Sequence, residues 1–292
     1  MLNFTKPMNT RIAPSPTGNA HIGLVRTAYL NYLAARSSGG KFFIRIDDTD
    51  VARSDSKFTD DILATFDWLG LDNDGVVHQS DNLDRYTAVA DGLVNNGLAK
   101  AKDGAIFINL DGDYLDEWTD LVVGTIGIND KLKKDIDSTV LIRSNGMPTY
   151  HFASCVDDVD MDIDLIIRGT DHIDNAAIHT HLFNILTDRE ILLAHVGLIF
   201  HNGKKISKRD ALANMDYYKA NYNPDAVLNA VLKLGWSHPD PNIDKTKPLI
   251  SKTDAIDLFP AGKLKAAKST LDLNKLDWLN KKYGSIANRV GA

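Results

Sequence analysis

The sequence predicts an α/β chain: a doubly wound parallel sheet with a short insertion and a small helical C-terminal appendage. Three observations carry this. Apolar, strand-like stretches alternate with longer stretches of helical periodicity through the first 200 residues. Pro14, Pro16 and Gly18 punctuate a tight turn between the first strand and the first helix. From about Pro224 onward the chain reads as helical.

Residues 9–13 read as the first strand. His21 and Gly23 open an apolar run, Ile22, Leu24, Val25, Ala28, Tyr29 and Leu33, which predicts a helix over 21–38 that Gly39-Gly40 stops. A strand at 41–46 and helices at 56–69 and 81–96 follow. Between about Gly97 and Asp137 the pattern loosens into short pieces such as Ala105–Leu110 and charged loops, which reads as the insertion. Strands are predicted at 139–143, 163–168 and 195–200, with a helix at 175–187. The acidic run Asp157, Asp158, Asp160, Asp162 and Asp164 reads as a solvated loop leading into a strand. It invites a calcium reading, but no Glu stands at the twelfth loop position from any of them, so no metal ligand is assigned. Asp225–Leu234, Lys252–Leu258 and Leu273–Tyr283 are predicted helical.

Such sheets have right-handed crossovers and bind ligands at the carboxyl ends of their strands, near the topological switch. The Arg11–Gly18 turn, Asp47, Arg168 and the Lys205 loop all follow predicted strands, so they are expected to converge on one crevice. A strand feeding a helix N-terminus presents backbone N–H groups and a positive dipole end, a natural anion site. There Gly23 lets the backbone approach a ligand closely and His21 can donate to a phosphate oxygen.

Composition narrows the class. The 292 residues are 43% hydrophobic and 25% charged, ordinary for a globular protein with one large core and a small appendage. No apolar run approaches the roughly 20 residues of a membrane span, and no secretory segment leads the chain, so a cytoplasmic location without membrane contact is expected. Cys155 is the only cysteine, which excludes an intrachain disulfide and a cysteine-based zinc site. The net charge of −6 is unevenly spread. Residues 201–292 hold 16 Lys/Arg against 9 Asp, a balance of +7, whereas residues 1–200 hold 17 against 30 acids, a balance of −13. A basic late portion can attract a phosphate backbone. There are 37 Asp against 2 Glu, a bias that fold physics does not explain, because Asp is the poorer helix former.

The segment Thr10–Leu24 resembles the ATP signature of class I aminoacyl-tRNA synthetases, the glutamyl branch in particular, and further motifs follow in that branch's order. Lys41–Asp50 resembles its second strand and R-I-E-D-T-D motif, and Pro148–Ala153 its P-T-Y-H motif. Ile167-Arg168-Gly169 resembles the end of a later strand, and Lys205-Ile206-Ser207-Lys208-Arg209 the mobile second signature loop. Leu234–His238 and Leu276–Asn280 resemble markers beyond it. The resemblance spans about residues 8–283. It implies a Rossmann-like catalytic domain over 1–223 with an acceptor-binding-type insertion at 97–137. It also implies a stem-contact-like helical connector over 224–292, and no anticodon-binding domain in this chain.

The implied reaction is attack of an amino-acid carboxylate on the α-phosphate of ATP, then transfer of the acyl group to an acceptor hydroxyl. Its transition state gathers negative charge on the phosphates, so positioning and fixed positive charge should carry catalysis. By resemblance, His21, Lys205 and Lys208 are catalytic. Pro14, Ser15, Thr17, His21, Gly23, Lys205, Ser207 and Lys208 bind ATP, with Mg²⁺ as the nucleotide's counter-ion. Arg11, Ala13, Ser15, Asp47, Tyr150, Ser154 and Arg168 bind the amino acid. Lysine is a mobile point charge suited to phosphates, whereas the two arginines suit a carboxylate and Asp47 an ammonium. Asp47 stands in place of the branch's usual Glu and Ser154 in place of its Asn, while Leu24 stands where other class I enzymes have a second His.

Three readings follow. The first is a glutamate–tRNA ligase acting on L-glutamate and the tRNA acceptor end, with room for a separate chain to supply anticodon recognition. The second is a truncated paralogue that loads another acceptor, as the glutamyl-queuosine tRNA(Asp) synthetases do. The third is a non-catalytic tRNA-binding module.

Overall fold

The computed structural model describes residues 2, 4–50, 53–206, 210–243 and 247–290, the last six by backbone alone. In chain order the elements are β1 (Thr10–Ile12), α1 (Ile22–Ser38), β2 (Phe42–Ile46), α2 (Ser56–Trp68), β3 (Val76–His78) and α3 (Leu83–Asn95). β4 (Ala99–Lys102), β5 (Ala105–Ile108), β6 (Glu117–Asp120), β7 (Gly124–Gly127), α4 (Asp130–Asp137) and β8 (Val140–Ile142) come next. Then follow α5 (Tyr150–Asp160), β9 (Leu165–Gly169), α6 (Ile173–Leu186), β10 (Leu192–Val196), β11 (Ile199–His201), β12 (Lys204–Lys205), α7 (Met215–Asn221) and α8 (Pro224–Lys233). Helices Lys252–Leu258 and Leu273–Val290 complete the chain.

The central sheet has seven strands in the order β3-β2-β1-β9-β10-β6-β7. All pairs are parallel except the β6–β7 hairpin at the edge. The order reverses beside β1, which lies between β2 and β9, so the ligand crevice of a doubly wound sheet falls at the carboxyl ends of β1 and β9.

α1 has apolar residues around nearly its whole circumference because it is covered on two sides. It packs on the sheet and is covered in turn by α8 and Lys252–Leu258, and Val227, Val231, Trp236 and Phe259 share one core with Val25, Tyr29 and Leu33. Asn31, fully buried, fixes the helix to β9: its Nδ2 donates to the Ile167 carbonyl at 2.8 Å and its Oδ1 accepts the Ile167 N–H at 3.2 Å. Gly39 ends α1 at φ +78°, and its N–H returns to the Ala35 carbonyl. A second core on the opposite face of the sheet gathers residues of α3, α5, α6 and β4 to β6.

Several expectations are corrected. Residues 97–137 carry more regular structure than the loosened sequence pattern suggests: β6 and β7 extend the main sheet, while β4 and β5 join β8 in a separate three-stranded antiparallel sheet. The predicted strand at 139–143 therefore lies outside the parallel sheet. The predicted strand at 195–200 is two strands, broken at Gly197, where an added Cβ would lie 2.0 Å from the Ala267 carbonyl oxygen. The acidic run is not a solvated loop either. Asp157 and Asp158 are buried in α5, which starts at the N-cap Thr149 and packs against α6. No helix among the described residues is long and apolar enough to cross a membrane.

Candidate active site

A cavity of about 620 Å³ opens at the switch point. Arg11, Ala13, Pro14, Ser15, His21, Gly23, Asp47, Tyr150, Arg168 and Lys205 all line it. Thr17 does not. Ser207 and Lys208, with Arg209, lie outside the described residues.

The turn after β1 is clamped by backbone groups. The Pro14 carbonyl accepts the Asp47 N–H at 2.9 Å and the Pro16 carbonyl accepts the Asp55 N–H at 3.1 Å. Asp61 on α2 accepts the Ala20 N–H at 2.8 Å and is itself held by Lys219 of α7 at 3.0 Å. His21 caps α1, its Nδ1 accepting the Leu24 N–H at 3.1 Å. In the neutral ring this places the proton on Nε2. A Cβ on Gly23 would lie 3.1 Å from that same Nδ1, so the glycine also leaves room for the capping ring. The first turn of α1 carries no acidic residue of its own.

Lys205 stands on the β11–β12 hairpin, whose Asn202-Gly203 turn has φ of +47° and +76°, the backbone an Asn-Gly hairpin turn favours. Its Nζ lies 3.5 Å from Asp171 and its side chain is half exposed. Arg26 of α1 faces the same end. Its Nη1 donates to the Gly197 carbonyl, and burial pulls its pKa down to about 10 against the opposing pull of Asp171.

The other end is a buried ionic lattice. Arg11 of β1 grips Asp158 with both Nε and Nη2, at 2.9 and 3.1 Å. Arg45 of β2 donates to Asp47 Oδ1 and to Asp158 Oδ1, both at 2.7 Å. Burial would raise Asp158, but Arg11 and Arg45 outweigh it and hold the carboxyl below its ordinary value. Burial pushes Asp47 above its ordinary value, with Arg45 opposing. Tyr150 is pushed up by burial, so its hydroxyl stays a donor at neutral pH.

Arg168 of β9 differs from its neighbours. Its Nε donates to His195 Nε2 at 2.9 Å, and its Nη1 to His179 Nδ1 at 3.2 Å. Its Nη2 is buried with no hydrogen-bond partner among the described residues. No carboxylate lies within ion-pair distance of it among them, and burial lowers its pKa. The arrangement is a fixed, desolvated cation in a cavity wall, suited to a carboxylate.

Ser154 is not brought to the cavity wall. It sits one turn below Tyr150 on α5, buried, with its Oγ accepting from Arg45 Nη2 at 3.2 Å. Any influence on a bound amino acid would pass through Arg45. Arg45, His179 and His195 escaped the sequence reading. The signal for Arg45 and His195 was present: each is a polar residue inside an otherwise apolar strand, which implies a buried partner. Among the described residues, no group of three His, Cys, Asp or Glu side chains is arranged to hold a metal ion.

The family described as tRNA synthetases class I (E and Q), catalytic domain, matches residues 7–105 and 100–278. The chain is 42% identical over 277 residues to the glutamate–tRNA ligase 2 of Neorickettsia sennetsu, covering 94% of this chain and 65% of that protein. It is 37% identical to the glutamate–tRNA ligase 1 of Helicobacter hepaticus, covering 94% of this chain and 66% of that one. It thus spans just under two thirds of the length of these relatives. The crystal structure of a glutamate tRNA ligase from Elizabethkingia meningosepticum, in complex with its amino acid, superposes with a TM-score of 0.84 at 25% identity, covering 96% of this chain and 70% of that one. With the switch-point cavity and the motifs that line it, these matches establish that the chain belongs to the class I tRNA synthetases of the E and Q branch.

Proposed function

We propose that this chain is an AMP-forming glutamate–tRNA ligase: it activates L-glutamate with ATP and passes the glutamyl group to the 3′ end of a tRNA. The observation that carries the reading is Arg168, a buried guanidinium that, among the described residues, has an unpartnered N–H and no carboxylate within ion-pair distance, in the same cavity as His21 and Lys205.

The side-chain carboxylate of glutamate meets Arg168, with the Tyr150 hydroxyl and Arg11 beside it, and the ammonium meets Asp47. The α-carboxylate oxygen attacks the α-phosphorus, a new C–O–P link forms, and pyrophosphate departs with the electron pair of the broken P–O bond. The turn from Pro14 to Gly23 and the N-terminus of α1 receive the nucleotide, with Ser15 at the junction of the two subsites. His21 donates through Nε2–H, and Lys205 with Lys208 follows the charge onto the leaving group. Mg²⁺ arrives on the ATP phosphates rather than in a protein cage. The family likeness supports glutamate and tRNA as substrates, because the relatives are named for them.

ATP–pyrophosphate exchange with each candidate amino acid, with and without total tRNA, tests this. Exchange with glutamate only when tRNA is present is expected. Exchange with glutamate without tRNA would redirect the search to another acceptor, and no exchange under any condition would overturn the enzyme reading.

A further inference from the structure

The reaction scheme leaves open what holds Arg168. A guanidinium can only donate, so both ring nitrogens facing it present lone pairs. His179 and His195 are therefore neutral in this arrangement, each with its proton on the far nitrogen. Those far protons are also accounted for. His195 Nδ1 lies 2.6 Å from Asp120 Oδ2, and His179 Nε2 lies 3.1 Å from His151 Nδ1. Asp120 is locked in turn, because its Oδ1 accepts the Val122 and Val123 N–H groups, each at 2.8 Å, at the tip of the β6–β7 hairpin. Asp120, His179 and His195 are all buried.

Arg11 and Arg45 show the alternative, since both are held by carboxylates: they share Asp158, and Arg45 also pairs with Asp47. Imidazole lone pairs orient a guanidinium and leave its charge intact. Asp120 fixes which His195 nitrogen carries the proton, from a strand that lies off the cavity wall.

We infer that Asp120, His195 and His179 are positioning residues that set specificity for an acidic side chain, by holding Arg168 through lone pairs rather than through a counter-charge. The inference rests on the glutamate-activating reading above. A neutral amide in the same place would leave the buried cation unpaired, so glutamine is rejected by more than the loss of one contact. Misplacing Arg168 should therefore weaken glutamate and narrow its advantage over glutamine together.

Asp120→Asn is the diagnostic substitution. Its amide oxygen can stay on the Val122 and Val123 N–H groups, while its NH₂ faces His195 Nδ1, which must then accept. The His195 proton moves to Nε2 and confronts the Arg168 Nε–H. Exchange assays at saturating ATP with total tRNA are expected to show the glutamate KM raised at least tenfold, about 1.4 kcal/mol. The kcat/KM preference for glutamate over glutamine should fall, with the ATP KM within twofold. His195→Phe should do the same, and His195→Gln, whose carbonyl can accept from Arg168, should recover part of the loss. Trp118→Phe, which keeps an aromatic ring beside His195 and removes none of the hydrogen bonds to Arg168 or Asp120, should leave KM and preference unchanged. Unaltered glutamate KM and preference in Asp120→Asn would overturn the inference. Should that variant not fold, equal behaviour of His195→Phe and His195→Gln would overturn it. A wild-type protein that does not exchange with glutamate would instead overturn the underlying reading, and the inference with it.

Discussion

The two ends of the cavity are built from opposite materials. At the end proposed for the amino acid, Arg11, Arg45 and Arg168 sit on central strands, Asp47 just beyond β2 and Asp158 on α5, buried and tied to one another or to histidines. At the end proposed for the phosphates, His21 caps a helix and Lys205 stands half exposed on a two-residue strand beyond a hairpin turn. A carboxylate that only has to be held benefits from a rigid, desolvated socket, because the ordering cost is met during folding. Phosphates whose charge shifts during the reaction suit a compact cation on a long, solvated stem. On the proposed reaction, rigidity therefore sits where substrate identity is read, and reach where the leaving group departs.

The comparison breaks most directly at Arg168. Replacing it with Gln keeps hydrogen-bonding capacity but removes the charge. The glutamate KM in ATP–pyrophosphate exchange is expected to rise at least 100-fold, about 2.7 kcal/mol, with the ATP KM within twofold. A glutamate KM within threefold of wild type would show that the socket is not where the side chain is read. A smaller effect of the opposite kind is expected for Lys205→Ala. Here kcat should fall roughly 10- to 100-fold, about 1.4–2.7 kcal/mol, and the glutamate KM should stay within twofold. A change in glutamate KM without one in kcat would place Lys205 at the wrong end.

The phosphate end was the more legible in sequence. Its turn, cap and first helix lie within one continuous segment, and Pro, Gly and His at fixed spacing have few alternative structures. The amino-acid end depends on partners far apart in the chain. Arg45 and Asp158 are separated by 113 residues, and His195 and Asp120 by 75, and no local pattern announces either pairing. α5 was missed for a related reason. Its Asp residues argue locally for a loop, yet Asp157 is stabilised in a helix by Gln79 and Tyr86, at 2.7 and 2.8 Å, and Asp158 by two arginines. Tertiary hydrogen bonds overrode the propensity. Asp47 is engaged by Arg45 at 2.7 Å at the cavity wall, another pairing that sequence alone does not announce.

The smallest expected effect separates the two ends by pH. His179 is fully buried, and burial, reinforced by Arg168 and His151, holds its pKa well below the ordinary histidine value. A depressed histidine favours the folded state only where the unfolded chain's histidine is also neutral. Its contribution is complete above about pH 6.5 and is lost as the pH falls below that, because the unfolded chain then binds a proton that the native chain refuses. His179→Asn offers Arg168 a carbonyl acceptor and removes the titration. Urea unfolding between pH 7.5 and 5 should show the wild type losing up to about 1.4 kcal/mol more per pH unit than this variant. His151, His172 and His181, also depressed chiefly by burial, remain in both proteins, and only His151 loses a partner in the variant, so the difference reads His179 together with the His151 ring it touches. Equal slopes would mean that the ring is not held neutral. Arg168 would then have to be fixed by something other than its lone pair, and the contrast between a socket tuned by neutral acceptors and a half-exposed cationic arm would fail at its most buried point.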